Sequence, residues 1–332
     1  MCKKPAGPGV LSVGKNPSID LLKGVLILLV MVGHAMELAH AQHVALWIGS
    51  GFRMPLMIGI SGYLLNIGRL RSEPGEHFFG RYGERMLLPW LVAMVAYLLI
   101  SGWPLSWHTP IDLLLRPPFH LWYIPVLFFL ILIARAVPLR PIWLLAIGVP
   151  FSLAIMYGFG PHHGPIGASL LSPDSRYLRY PVYFFFGMLM AERGLPTRYL
   201  GIALLTAALG MGWWSALEHD PHILAFVPAR LLMCLSLIAL LPHFARLRLS
   251  FGPVNHIGRD SLFFYLWHPL VMALVMASGV GAAVTLALSV PILFGLGRLS
   301  AGHAPLRRWI GSVPPIRRRD EEPPLDPAPQ PA

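Results

Sequence analysis

Ten apolar stretches follow one another along this chain of 332 residues, at approximately 18–38, 52–70, 85–103, 119–137, 141–159, 178–194, 198–217, 223–244, 260–279 and 281–302. Each approaches the ~20 residues a helix needs to cross a hydrocarbon core of ~30 Å. A backbone in hydrocarbon must satisfy its own polar groups, which for single segments means a helix. Hydrophobic residues make up 55% of the chain and charged residues 12%. A soluble domain carries about 25% charged residues, so a soluble globular fold is excluded. The expectation is an all-α polytopic membrane bundle of about ten transmembrane helices.

Net charge is +11. In a soluble protein that would point to nucleic acid. Here the charges sit mostly in short loops, so they report topology and no nucleic-acid partner. With ten spans, 20 of the 26 basic residues fall on the side of the two termini. Arg53, Arg116, Arg176 and Arg179 fall on the other side, and Lys23 and Arg230 within spans. The positive-inside rule then puts both termini in the cytoplasm. The chain divides into a cytoplasmic segment 1–16, a membrane domain 17–303 and a cytoplasmic tail 304–332, basic and then acidic and Pro-rich. Such a tail has too little apolar surface to fold and is expected to be disordered. Cys2 and Cys234 are too far apart in sequence and too few to imply a disulfide framework or a metal site.

Against this apolar background the ionisable residues stand out, because each is costly in hydrocarbon. Lys23 and His34 lie eleven residues apart in the first span. Three helical turns place them on one face, about 16 Å apart. Imidazole suits general base chemistry near neutral pH. Glu37 is three residues further on the same face and suits the role of orienting the ring, as the carboxylate of a catalytic dyad does. A structural hydrogen bond between spans is the alternative for both.

Further along, Ser61-Gly62 sits mid-span, where small residues let helices approach closely. Arg81 and Arg85 are one turn apart before Pro89-Trp90. Guanidinium forks suit phosphate, although arginines at a span mouth also serve as positive-inside anchors. His120-Leu-Trp122-Tyr123 opens the fourth span with rings that serve an interfacial belt or stack on sugars. The ninth span carries a second buried histidine, His268, with Tyr265 three residues away on its face.

Taken in order, these segments resemble the acyltransferase-3 family of integral-membrane acyltransferases, and more narrowly its branch related to fucose 4-O-acetylase. Five landmarks carry the likeness: Asp-x-x-Lys-Gly…Gly-His from Asp20 to His34, Met-Pro-Leu…Ser-Gly-Tyr from Met54 to Tyr63, Arg…Pro-Trp from Arg85 to Trp90, Leu-Trp-Tyr from Leu121 to Tyr123, and Ser-Leu…Tyr-Leu-x-His from Ser261 to His268. The likeness runs from about residue 17 to 300. The family most often has arginine where this chain has Lys23, which keeps the charge and loses the bidentate geometry. Its paired arginines before the third span are usually closer together than Arg81 and Arg85.

The resemblance implies transfer of an acyl group, usually acetyl from acetyl-CoA, to a hydroxyl of a carbohydrate or glycolipid of the cell envelope. It implies a multi-pass protein of a bacterial inner or plasma membrane, with acyl-CoA as cosubstrate and no bound cofactor or metal. Under it, His34 and Glu37 are the catalytic pair. Lys23, Arg81 and Arg85 guide the donor, and Ser61, His120, Trp122, Tyr123, Tyr265 and His268 bind the acceptor or shape the site. Buried His, Lys and Glu in ten spans also describe a proton-coupled transporter of a small polar solute, but the other spans are nearly uncharged.

Overall fold

The computed structural model describes residues 16–40, 43–219 and 222–313. Among these residues the regular structure is helical throughout, apart from one isolated bridge between Pro165 and Asp174.

Helix α1 (Pro17–Leu38) starts where Asn16 accepts from the amides of Ser18 and Ile19, with Pro17 in the first turn. Both devices suit a helix N-terminus, whose first amides lack helical partners. Helix α2 (Val44–Leu64) begins well before the expected Phe52 and stops short of the expected Leu70. Two features set its start. His43 caps it, and Trp47 stacks on Trp214 at 4.7 Å, each indole N–H donating to the other's carbonyl oxygen at 2.8 and 2.9 Å. Asn66 then caps a separate short helix, α3 (Ile67–Ser72). The shift matters because Arg53, expected at the outer start of its span, lies in the middle of α2.

Helix α4 (Gly75–Tyr82) continues through a π-helical turn at Gly83–Leu87 into α5 (Leu88–Ser101). Then come α6 (Thr109–Leu115), α7 (Tyr123–Ala136) and α8 (Pro141–Phe159). The expected span 178–194 is broken into α9 (Arg176–Arg179) and α10 (Pro181–Arg193), since Pro181 cannot donate to a continuing ladder. The remainder is α11 (Leu200–Ala216), α12 (Ile223–Ala239), α13 (Leu241–Arg246), α14 (Gly252–Arg259), α15 (Ser261–Met276), α16 (Ala282–Ala301) and α17 (Ala304–Ile310).

Every apolar stretch marked in the sequence falls mainly on helix. Among the described residues seven helices are long and apolar enough to cross a membrane, with α4–α5 and α12–α13 each taken as one; α7 and α15 are shorter and apolar. The fold is thus a polytopic helical membrane bundle. Of the expected tail, residues 304–313 fold onto the bundle: Trp267 donates to the Ile310 carbonyl at 2.9 Å and Val313 N–H to Asp260 at 2.6 Å. Residues 314–332 lie outside the described residues.

Helix α2 is central, packed on α1, α10 and α12. Its seam with α10 depends on two glycines. A Cβ on Gly62 would meet the Phe184 carbonyl oxygen at 2.1 Å, and one on Gly187 would meet the Gly59 oxygen at 2.1 Å. Lipid is as apolar as leucine, so membrane helices gain from close backbone packing rather than from apolar burial. Ser61-Gly62 therefore serves packing through the glycine. One end of the bundle carries the start of α1 and most of the arginines; we call it the basic end. The α1–α2 turn marks the far end.

Candidate functional site

Toward the far end a cavity of about 430 Å³ opens between α1, α2, α5, the turn before α7, and α15. Its wall includes His34, Arg53, Tyr97, His120, Trp122, Arg176 and Tyr265. Helix α1 supplies His34, and its Nδ1 lies 2.9 Å from the Glu37 carboxylate, as the three-residue spacing allows. A carboxylate only accepts here, so Nδ1 carries the hydrogen and Nε2 is left with a lone pair in the neutral ring.

Two further histidines close around that ring. His268 approaches His34 with ring centroids 5.3 Å apart, His120 at 5.9 Å, and the two approach each other at 5.5 Å. His268 is fully buried, and its Nδ1 donates to the Phe264 carbonyl one turn back at 2.8 Å. Its Nε2, like that of His120, is buried with no partner among the described residues. His120 is aimed inward by an irregular turn in which Phe119 takes a positive φ of 58°. That backbone costs energy for a bulky residue and is characteristic of functional sites.

Tyrosines fix this cluster. The Tyr265 hydroxyl donates to the His120 carbonyl oxygen. Tyr97 bridges a rung of α15 beside Pro269: its oxygen accepts from Leu270 N–H at 2.9 Å, and its proton goes to the Leu266 carbonyl at 3.2 Å. Tyr123 packs on Tyr265 at 5.2 Å, and its hydroxyl is 3.0 Å from Ser61. Ser61 and Tyr123 thus stand behind the cavity wall.

The segment between α8 and α10 covers the cavity mouth. Arg176 is buried, doubly bonded to Asp174 at 2.8 and 2.9 Å, with its guanidinium 5.1 Å from the Trp122 ring. Trp122 stacks in turn on Tyr180 at 5.0 Å. Burial pushes the Asp174 carboxyl up, but His163 and Arg176 outweigh it and hold it down at about 2.

The sequence-predicted residues divide into two groups. His34, His120, Trp122 and Tyr265 line the cavity, Glu37 and His268 contact the His34 ring, and Ser61 and Tyr123 stand behind. Lys23, Arg81 and Arg85 stand apart at the basic end. Lys23 pairs with Asp20 at 2.9 Å, and Arg81 pairs with Glu73 at 2.6 Å. Arg85 is exposed in the π-helical turn, a rare element concentrated at functional sites. Sequence reading missed Arg53, Tyr97 and Arg176 as site residues. Arg53 directly precedes the Met54-Pro55 landmark, which is the one signal that places it near the site. Among the described residues no three His, Cys, Asp or Glu side chains converge as metal ligands.

An acyltransferase domain profile of the acyltransferase-3 family matches residues 16–298. The chain belongs to that family. It is a multi-pass membrane acyltransferase, and all of the cavity-lining residues fall inside the matched region. No curated protein and no solved structure matches it.

Proposed function

We propose that this acyltransferase moves an acetyl group from acetyl-CoA to a hydroxyl of a carbohydrate or cell-envelope glycan, with His34 as general base. The observation that carries the reading is His34 at the cavity wall, with Nδ1 committed to the Glu37 carboxylate and Nε2 left to take a proton. Glu37 holds the tautomer and balances the positive charge that the ring gains.

The acceptor hydroxyl gives its proton to His34 Nε2 while its oxygen attacks the thioester carbonyl carbon. Collapse of the adduct expels the thiolate of coenzyme A, which recovers the proton from His34. Trp122 stands at the cavity wall with Tyr180 stacked on its ring and Arg176 over it, and so shapes the acceptor end of the cavity. The unpaired Nε2 of His268, whose Nδ1 donates to Phe264, is an acceptor for a substrate hydroxyl, and the unpaired Nε2 of His120 is a further polar contact, since a buried nitrogen without a partner is costly.

Lys23, Arg81 and Arg85 would hold the anionic end of the donor in the cytoplasm, with both termini on that side. Three helical turns, about 16 Å, separate Lys23 from His34. An extended pantetheine arm covers a distance of that order. The transporter reading has no comparable support, because the histidines of α1 and α15 meet beside one cavity while Lys23 is paired with Asp20 apart from it.

The test is transfer of radiolabel from acetyl-CoA into glycan by the protein in lipid. His34→Ala is expected to lower the rate by about 100- to 10,000-fold, the range of general-base loss. Glu37→Gln should lower it by less. Wild-type rate in His34→Ala would remove the base from the mechanism.

A further inference from the structure

A base removes the proton, but the thioester oxygen also gains charge during attack. Oxyanion stabilisation is commonly the largest single contribution to acyl transfer, and it requires donors placed in advance. The cavity contains a candidate that the sequence had put at the outer start of its span.

Arg53 reaches from α2 across to α1, where Nη1 donates to the Leu29 carbonyl at 2.6 Å. Gly33 on α1 makes room for it: a Cβ there would lie 1.9 Å from Nη1, whereas one on Gly49 would lie at an ordinary contact distance of 3.6 Å from Nε. The guanidinium is therefore held against the residue next to His34, at the wall of the same cavity. Among the described residues its Nε and Nη2 donate to no protein acceptor. The other arginine of the cavity wall differs, since Arg176 is committed to Asp174.

Charge balance separates a transition-state role from binding of a resident anion. Before reaction, the Glu37 carboxylate and the Arg53 guanidinium carry opposite charges, and the base form of His34 is the one that can take a proton. During acyl transfer, a proton moves to His34 as negative charge forms on the carbonyl oxygen. His34 then faces Glu37, the oxyanion faces Arg53, and net charge never changes.

We propose that Arg53 supplies the oxyanion donor for this acyl transfer, its open guanidinium edge binding the thioester carbonyl oxygen. As the acceptor oxygen bonds to carbon, the carbonyl π pair moves onto that oxygen beside Arg53. Collapse restores the C=O bond and breaks the C–S bond, and the thiolate takes the proton from His34. Gly33 is the residue that permits this placement. The inference rests on the acyl-transfer reading above.

The experiment uses membranes of source cells lacking their own copy, supplied with wild-type or variant full-length chain and with radiolabelled acetyl-CoA. Wild-type incorporation establishes the underlying reading; its absence overturns that reading and this one together. With wild type active, Arg53→Met is expected to lose about 100- to 1,000-fold in kcat with little change in KM for acetyl-CoA. Added guanidinium should restore part of the Arg53→Ala rate and none of the His34→Ala rate. Gly33→Ala, which keeps the charge but displaces it, should lose rate as Arg53→Met does. An Arg53→Met rate within about threefold of wild type, a loss confined to KM, or no rescue by guanidinium overturns the proposal.

Discussion

Asp174 shows how one carboxylate organises the mouth of the site. It bonds Arg176 in bidentate fashion, and Arg176 in turn lies over Trp122 at the cavity wall. The group's folded pKa is depressed from 3.8 to about 2. Its contribution to stability is therefore fully present above about pH 4 and is lost as pH falls through about 2. Asp174→Asn leaves Arg176 buried without its counter-charge, which costs about 3–5 kcal/mol. Denaturation in detergent should show that loss unchanged from pH 7 to about 4 and shrinking below.

Single residues also separate what could be read locally from what could not. His34 and Glu37 are neighbours on one helix, so their pairing follows from spacing alone. Arg53, Tyr97 and Arg176 meet His34 only across helices, and nothing in their own flanking sequence specifies that meeting. Arg53 was further hidden because a stretch holding His43, Trp47 and Ser50 does not read as a span, although capping and the Trp47–Trp214 pair make it helical.

At the scale of elements, the α2–α10 seam decides where the cavity wall stands. Gly187 faces backbone, and backbone cannot move aside as a flexible side chain can. Gly187→Leu is expected to destabilise by at least about 1–3 kcal/mol, as overpacking does. Gly212→Ala is the control, because its Cβ would meet nothing within 4 Å. Thermal unfolding in detergent compares the two, and equal midpoints would deny the seam its role. The break between α9 and α10 is an element-scale feature that hydropathy concealed. An apolar run reports burial, but Pro181 and the buried arginines before it redirect the chain over the cavity mouth.

For the whole molecule, the bundle separates a basic end bearing Lys23, Arg81 and Arg85 from a far end bearing the cavity. Under the proposed function this polarity has a kinetic consequence. Lys23→Ala should raise KM for acetyl-CoA several-fold with kcat nearly kept, and Lys23→Arg should stay close to wild type, since charge rather than fork geometry is at stake. Inside-out vesicles with external acetyl-CoA provide the measurement. A fall in kcat with unchanged KM would place Lys23 outside donor binding.

Sequence by itself determined the membrane class, the helical content, the stretches that become helices and the His34–Glu37 pair. These rest on apolar content, on backbone groups that bond within one segment, and on neighbours three residues apart, all properties of short stretches of chain. Tertiary structure alone decided that His120 and His268 close on His34, that Arg53 reaches Gly33, and that Arg176 lies against Trp122. Those contacts join residues far apart in sequence. They exist because glycine seams set how closely the helices approach and how each one is turned, and no local pattern encodes that arrangement.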